Sequence, residues 1–244
     1  MSTPSLHAAP PFTVETTVGQ IVIDYPLLAR VFERLGINYC CGGKRALTEA
    51  CRAYGHEPAV VHAELIEAVT SATNTPGIDP NQLSLAQLAD HIETTHHVYV
   101  KTELPRLVEM ADRVARKHSW RDERLREVSE TTTLLADEMF AHMAKEERIL
   151  FPLVRELEAG VANDFHCGSI ANPIRQMEEE HEFATRATAR LGELTDGFQP
   201  DTNACNTHRA LLAGLAEFAT DLQRHVHKEN NVLFPRALAL AGRA

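Results

Sequence analysis

The feature that most constrains the fold of this chain is an eleven-residue stretch that occurs twice. Residues 142–152 read HMAKEERILFP, and residues 225–235 read HVHKENNVLFP. Each copy places a Glu four residues after a His, so both side chains lie on one face of a helix, with Cβ atoms about 5–6 Å apart. Two such pairs brought together supply two imidazoles and two carboxylates to one buried point. The repeat therefore predicts a metal site, and its carboxylates favour a site that holds two ions.

The repeat extends upstream of these two stretches. His97 and His181 are 84 residues apart, and His142 and His225 are 83 residues apart. In each half the two His are about 45 residues apart, which allows about 20 helical residues, or about 30 Å, on either side of a connecting loop. The halves are thus expected to assemble around a pseudo-twofold axis. The six predicted ligands are His97, His142, Glu146, His181, His225 and Glu229.

The choice between His97 and its neighbour His96 stays open on these grounds. The upstream apolar residues Leu88 and Ile92 put His96 on the inward face of the helix, whereas the downstream apolar residues put His97 there. The spacing of the repeat favours His97. A single His on a helix face is usually structural or solvated, and His181 lies in the charged run EEEHE. The prediction therefore depends on the two halves together.

The predicted ligand set is rich in nitrogen. Neutral imidazoles with carboxylates suit Fe, Mn or Zn better than Ca or Mg, which prefer oxygen throughout. Each metal would receive two His and a share of two bridging Glu, which leaves a position for a small molecule such as O₂, NO or peroxide. Ferritin-type di-iron bundles use more carboxylates. The set therefore favours a hemerythrin-like binding site over an oxygenase.

The spacing of apolar residues predicts an all-α protein. In the small domain, a helix is expected to start near Asp24, with Asp24 as its N-cap, and to stop at Gly36. Four long helices with short loops predict an antiparallel four-helix bundle. An interruption is expected near Pro152, where Leu-Phe-Pro is interpreted as core packing and a helix terminus. The predicted division is a mobile N-terminus at 1–16, a small helical domain at 17–70, a linker at 71–83 and the bundle at 84–241.

The composition excludes several classes of protein. The net charge is −10 and no basic stripe is visible, which argues against nucleic-acid binding. No apolar run reaches the roughly 18 residues that a membrane span needs. The first residues lack the charged and apolar regions of a signal peptide, so a cytoplasmic protein is expected.

The chain has five cysteines, and two of them, Cys40 and Cys41, are adjacent. An odd count with a vicinal pair is not typical of a disulfide framework, so reduced thiols are expected. The pair is either incidental to a Gly-containing turn or a redox-active or metal-handling pair. In the second interpretation the neighbouring charges of Lys44 and Arg45 would lower the thiol pKa values.

Several motifs together resemble a known family, the iron-sulfur cluster repair di-iron proteins, or RIC (repair of iron centres) family. The motifs are INYCCGGK, HMAKEERILFP, EEEHE and HVHKENNVLFPRAL, and the resemblance covers about residues 17–240. It implies a cytoplasmic bacterial protein with a small CC-containing domain and a hemerythrin-like domain. It also implies two non-haem irons bridged by an oxo group and by Glu146 and Glu229. The resemblance selects His97 over His96 and matches Cys40 and Cys41 to the cysteine pair of the family.

The resemblance supports three functional hypotheses. The first is repair of iron-sulfur clusters damaged by nitrosative or oxidative stress, with iron supplied to damaged Fe–S proteins. The second is a cytoplasmic sink that binds NO, and the third is reduction of NO to N₂O, so whether the protein is an enzyme stays open. Oxygen storage is disfavoured by the ligand set and by the additional domain. The oligomeric state is also open, with a homodimer as one option.

Overall fold

The computed structural model describes residues 11–71, 78–161 and 169–242. Its regular elements are helices, and these described residues contain one isolated β-bridge, between Thr17 and Ala46, and no strand. The prediction of an all-α protein is confirmed. The chain divides into two compact units, Met1–Asp79 and Pro80–Ala244. No helix within the described ranges is long and apolar enough to cross a membrane.

In its described residues, the smaller unit contains four short α-helices around a core of its own. Its fully buried side chains include Ile21, Phe32, Tyr39, Leu47 and Leu65. Every one of these residues is apolar or aromatic, so burial of apolar surface is what holds the short helices together. The helices are α1 (Val18–Asp24), α2 (Ala29–Arg34), α3 (Leu47–Ala53) and α4 (Pro58–Ser71).

The prediction that a helix begins near Asp24 was wrong, because Asp24 is the last residue of α1. Thr17 caps the start of α1, where its side chain accepts a hydrogen bond from the backbone N–H of Gln20. A residue before proline is disfavoured in the helical region, and Tyr25, which precedes Pro26, has φ −134° and ψ 76°. The proline therefore separates α1 from α2. Gly36 has φ +67°, as expected for a glycine that ends a helix.

The larger unit is a bundle of four long helices. Each packs against two neighbours, in the closed order first, second, third, fourth and first again. The first long helix comprises α5 (Leu85–Ile92) and α6 (Val98–His118), and the second comprises α7 (Arg124–Lys145) and α8 (Phe151–Glu158). The third is α9 (Ala171–Leu194), and the fourth comprises α10 (Asn206–His227) and α11 (Phe234–Ala241).

Three of these long helices contain a wide, π-helical turn. The turns are Glu93–His97, Glu146–Leu150 and Lys228–Leu233. A π-helical turn inserts one residue, shifts the register of the side chains beyond it, and occurs frequently at functional sites. Each turn contains one of the predicted ligands. The wide turns therefore lie where the ligands must face the interior of the bundle.

The prediction that a helix ends at Leu-Phe-Pro was wrong. The second long helix continues through Pro152, which lies in the first turn of α8 immediately after a π-helical turn. The fourth helix continues through Pro235 in the same way. Proline lacks an N–H and clashes with the carbonyl four residues earlier, and the widened turn before it relieves both constraints. Leu-Phe-Pro therefore accompanies a π-helical turn rather than a helix end.

The start of the first long helix is attached to the end of the second. Ser84 caps α5 and forms a capping box with Gln87. Glu158 accepts hydrogen bonds from the hydroxyl of Ser84 at 3.0 Å and from the backbone N–H groups of Leu85 at 2.7 Å and Ala86 at 2.9 Å. Three donors at a helix N-terminus are thus satisfied by one carboxylate from a neighbouring helix.

Candidate metal centre

The six predicted ligands meet inside the bundle, and each side chain is at most 2% exposed. They form two groups that share Glu146 and Glu229, and the ligand atoms of each group lie within 4.8 Å of one another. Each group takes one His from each half of the repeat, while both groups use the same two carboxylates. The groups are His97, Glu146, His225 and Glu229, and His142, Glu146, His181 and Glu229.

All four imidazoles direct the same nitrogen at the carboxylates. Each Nε2 atom lies between 3.0 and 3.3 Å from a carboxylate oxygen of Glu146 or Glu229. The Nε2 atoms of His142 and His181 are also 3.1 Å from each other. Two imidazole nitrogens that approach each other this closely beside a carboxylate face a common point. The arrangement is suited to a cation at that point.

Although these contacts are short, several buried polar atoms of this cluster have no partner in hydrogen-bonding geometry within the described part of the chain. They include both carboxylate oxygens of Glu146, Oε2 of Glu229 and Nε2 of His97. Removing a carboxylate from water costs several kcal/mol unless another interaction compensates. Imidazole nitrogen and carboxylate oxygen together are the donor set of Fe, Mn and Zn. The six residues therefore fit a centre that holds two metal ions.

The imidazoles and carboxylates of the cluster strongly affect one another's pKa values. Burial alone would lower the pKa of His142, but the carboxylate of Glu146 overcomes this effect and raises that pKa to about 10. Glu146 raises the pKa of His97 in the same way. Burial opposes ionisation of both Glu146 and Glu229, and the charge of Glu229 further opposes ionisation of Glu146. The imidazoles nevertheless hold both carboxyl pKa values below their usual range. The carboxylates therefore attract positive charge to this point.

Three of the imidazoles are oriented by an acceptor on their outward side. In each case Nδ1 donates a hydrogen bond to a side-chain oxygen, which leaves Nε2 available as a ligand. Metal-bound His typically has such an outer partner. The pairs are His97 with Glu147 at 2.7 Å, His142 with Glu180 at 2.9 Å and His181 with Asn230 at 2.8 Å.

Sequence reasoning did not identify these outer partners, although a simple signal was present. Each of Glu147, Glu180 and Asn230 is the immediate neighbour of a predicted ligand in the sequence. Two lysines hold the carboxylates in turn: Lys101 donates to Glu147 at 2.6 Å, and Lys145 donates to Glu180. The residues behind the ligand imidazoles form an outer ring, and around the imidazoles of the first half this ring is built from ion pairs.

The surroundings of His225 differ from those of the other three imidazoles. Its Nδ1 atom is buried and has no partner among the described residues. The ring of His96 stacks on His225, with ring centres 5.2 Å apart and planes at 2°. His96 in turn donates from Nδ1 to Asp221 at 2.8 Å and accepts at Nε2 from Lys228 at 2.6 Å. Burial lowers the pKa of His96 to about 4 and that of Lys228 to about 8.

The positions of His96 and His97 explain why the apolar pattern left them undecided. Both are buried, because the π-helical turn Glu93–His97 shifts the register between them. The upstream stripe of Leu88 and Ile92 continues to His96, and the downstream stripe continues to His97. The structure places His97 among the six clustered residues and His96 behind His225.

The phenylalanines of the two Leu-Phe-Pro stretches contact the centre. Phe151 stacks on His97 with ring centres 5.7 Å apart, and Phe234 stacks on His181 at 6.0 Å. Both phenylalanines are buried, as expected for core packing. They also restrict the orientation of one imidazole in each half, which gives a physical reason for their presence in the repeat.

In the smaller unit, the turn at Cys40 and Cys41 is organised by Asn38. The side-chain oxygen of Asn38 accepts hydrogen bonds from the backbone N–H groups of Cys40 and Cys41, each at 3.1 Å, and of Gly42 at 3.3 Å. A Cβ at Gly42 would lie 2.6 Å from the backbone carbonyl oxygen of Asn38, so the turn requires glycine there.

The two thiols of this turn differ. Cys40 is buried, whereas Cys41 is partly exposed. A hydrogen bond with Cys41, followed by burial, raises the pKa of Cys40 well above its usual value. The prediction that Lys44 and Arg45 lower the thiol pKa was therefore wrong for Cys40. Cys51 and Cys205 are free thiols, and Cys167 lies outside the described residues.

Comparison with known proteins identifies relatives of both units and of the whole chain. Residues 88–237 match the model of the hemerythrin HHE cation binding domain, and residues 14–69 match a domain of unknown function, DUF542. A protein of Musicola paradisiaca named iron-sulfur cluster repair protein YtfE is 36% identical over 226 residues, which cover 92% of this chain and 96% of that protein. Proteins of the same name from Pectobacterium carotovorum and Salmonella newport are 35% and 32% identical, over 92% and 91% of this chain and 97% and 96% of their own lengths.

Proposed function

The chain belongs to the family of iron-sulfur cluster repair proteins, and we propose that it rebuilds damaged clusters by supplying iron from a centre in its hemerythrin HHE domain. The proposal includes action in the cytoplasm under nitrosative or oxidative stress, with damaged Fe–S proteins as partners. The observation that carries it is the buried set of four imidazoles and two shared carboxylates. Few anionic ligands hold the cations in this set, so release of iron is less costly than from a carboxylate-rich centre.

The proposed centre holds two non-haem irons. His97 and His225 would hold one iron and His142 and His181 the other, with Glu146, Glu229 and an oxo group as bridges. When bound, iron supplies both the cargo for cluster repair and an open position for a small molecule. The donor set suits iron, Zn and Mn alike, and the choice of iron among them is supported by membership of the family.

The residues around the ligands have separate tasks in this proposal. Glu147, Glu180 and Asn230 fix the direction in which the imidazoles present Nε2. Phe151 and Phe234 stack on ligand imidazoles and keep water away from one side of the cluster. The ligands are thereby preorganised, which lowers the cost of loading the centre.

Cluster assembly in vitro tests the proposal. The iron-loaded protein is mixed with an apo Fe–S protein, cysteine and sulfide, and cluster formation is followed by absorption. We expect cluster formation with the wild-type protein and little with His142→Ala. The matched control is His118→Ala, at the end of α6, which is expected to behave like the wild type. No cluster formation with wild type, or an equal rate with His142→Ala, would contradict iron supply.

A second candidate function is NO binding, and one observation favours it. Each group offers four protein donor residues, two of them shared, which leaves open positions as in other non-haem iron sites. Anaerobic titration of the reduced protein with NO should then give an iron-nitrosyl spectrum, and no such spectrum would exclude this function. Turnover of NO to N₂O with an electron donor would make the protein an enzyme.

Cys40 and Cys41 support a thiol function within the same proposal. Because Cys40 is buried and its pKa is raised, Cys41 is the thiol that would react or bind iron first. The turn held by Asn38 presents this thiol in a fixed position. We expect Cys41→Ser to lower the rate of cluster formation more than Cys51→Ser, a substitution of a buried thiol outside the pair.

A further inference from the structure

A row of three imidazoles leads from the edge of the bundle to the centre. His91 is half-buried, His96 is 2% exposed and His225 is fully buried. The ring centres of His91 and His96 are 6.2 Å apart, and those of His96 and His225 are 5.2 Å apart. Only the last of the three belongs to the six clustered residues. The first two extend the line of nitrogen donors outward.

The amino group of Lys228 occupies the space between the two outer imidazoles. Its Nζ atom lies 3.0 Å from Nε2 of His91 and 2.6 Å from Nε2 of His96. An ammonium group only donates hydrogen bonds, so both Nε2 atoms act as acceptors and present their lone pairs. Lys228 thus holds a positive charge where two imidazole nitrogens converge, which is the position that a metal cation would take.

The outward sides of the two imidazoles are also arranged as in a metal site. Nδ1 of His96 donates to the carboxylate of Asp221 at 2.8 Å, and Nδ1 of His91 lies 3.3 Å from the hydroxyl of Thr95. A carboxylate behind an imidazole is the usual outer partner of a metal-bound His. Among the described residues, the other carboxylate oxygen of Asp221 is buried and has no hydrogen-bond partner. The pair is therefore prepared to bind a cation in place of the ammonium.

Within the described residues, the equivalent place between the second and third long helices has no such pair of imidazoles. Glu180 stands at the position that corresponds to His96, and Lys145 stands at the position that corresponds to Lys228. Lys145 pairs with the carboxylate of Glu180 instead of with imidazoles. The row of donors thus occurs where the first and fourth long helices meet and not at the equivalent meeting of the second and third, and Lys145 provides a matched reference for Lys228.

We propose that His91 and His96 form an accessory divalent-cation site, closed by Lys228, through which ferrous iron passes between solvent and the centre. This inference rests on the proposed supply of iron. The site opens when the Lys228 side chain swings outward, and the cation then replaces the ammonium between the two Nε2 atoms. Water completes its coordination shell. The exchange involves no redox step and no covalent bond.

Titration of the metal-free protein with Co²⁺ tests for the accessory site. We expect Lys228→Met to bind one more Co²⁺ than the wild type, with a distinct absorption band, and Lys228→Met with His91→Ala to lose it. Lys145→Met should bind no additional ion, and Lys228→Arg, which retains the charge, should behave like the wild type. Equal Co²⁺ binding by Lys228→Met and wild type, or an additional ion that persists without His91, would overturn the site.

Release of iron tests the passage itself. Reduced, iron-loaded protein is mixed with an excess of a ferrous chelator, and the rate of release is measured. We expect release to be about tenfold faster from Lys228→Met and about tenfold slower from His91→Ala, the lower end of the effect of metal-site partners. If Lys228→Arg, which retains the charge, accelerates release as much as Lys228→Met, general loosening explains the effect and the passage is refuted. If Lys228→Met fails to fold, an unchanged rate of iron release from His91→Ala is sufficient to refute the passage.

These outcomes separate the inference from the proposed function. A wild-type protein that delivers iron to an apo Fe–S protein, with variants at positions 91 and 228 that release iron at its rate, would refute the passage and leave iron supply intact. A wild-type protein that delivers no iron would refute the proposed function. In that case an additional Co²⁺ that requires His91 in the Lys228→Met variant would still establish the accessory site.

Discussion

The two halves of the bundle present equivalent ligands but surround them differently. In the first half, both ligand imidazoles donate to carboxylates, and each carboxylate is held by a lysine. In the second half, His181 donates to the amide of Asn230, and Nδ1 of His225 has no partner within the described residues. The ligand positions are thus symmetric, whereas the ring of residues behind them is not.

This difference has a physical consequence for the two cation positions. A carboxylate behind an imidazole both fixes the ring and increases its basicity, whereas an amide fixes the ring without adding charge. Each position combines one imidazole from each half, but only one position includes His225. A cation at that position would therefore be held by the less supported pair, and it would also be the cation nearest to the row from His91 and His96.

The largest expected effect comes from a residue that both positions share. Glu146→Gln removes a buried charge that belongs to both groups, so we expect both iron ions to be lost, with an affinity lower by more than about 100-fold, the upper range for outer partners. Metal analysis after dialysis measures the content. Glu138→Gln, on the exposed side of α7, is the control. Retention of one iron by Glu146→Gln would show that the carboxylate is not shared.

A smaller effect is expected from the outer ring, where the two halves differ. Glu180→Gln replaces a carboxylate behind His142 with an amide, which makes the first half resemble the second at this point. We expect the metal affinity to fall about tenfold, measured by competition with a chelator. The reverse exchange, Asn230→Asp, should raise the affinity. If neither substitution changes the affinity, the asymmetry of the outer ring has no effect on metal binding.

The symmetric part of the site was predictable from the sequence, and the asymmetric part was not. The spacing of His142 and Glu146 is a property of one helix, and its repetition at His225 and Glu229 made the shared geometry visible. The π-helical turn Glu93–His97 has no such repeated pattern, because it lacks the Leu-Phe-Pro that follows the other two turns and depends on how the long helices pack. For that reason the apolar stripe alone did not decide between His96 and His97, and the role of His96 was not predicted.

The outer partners were missed for a different reason. Glu147 and Glu180 lie beside ligands in sequence, where charged residues would ordinarily be interpreted as solvated helix surface. Their contacts join different long helices, since Glu147 is paired with His97 and Glu180 with His142. Such pairs follow only from the packing of the bundle. Local periodicity thus predicted the helices, while the network between helices required the structure.

The smallest effect concerns the ends of the helices, where the halves differ again. Glu158 caps the first long helix from the second, whereas at the start of the third, α9, the backbone N–H of Ala171 donates to the hydroxyl of the nearby Ser169 at 3.2 Å. We expect Glu158→Gln to lower the free energy of unfolding by about 1 kcal/mol at neutral pH, with allowance for its partial exposure to solvent. Urea denaturation of the metal-free protein measures this difference.

The pH dependence of that difference identifies its origin. Burial opposes ionisation of Glu158, but the backbone N–H groups of Ala86 and Leu85 and the hydroxyl of Ser84 hold its pKa below the usual value. A carboxylate with a lowered folded-state pKa stabilises the fold above its unfolded pKa, about 4.3 for Glu. That stabilisation is lost as the pH falls through the folded-state pKa. The gap between wild type and Glu158→Gln should therefore be constant near neutrality and close below about pH 4. A gap that stays constant into acid would mean that the capping charge contributes nothing, and the two halves would then be equivalent at their ends.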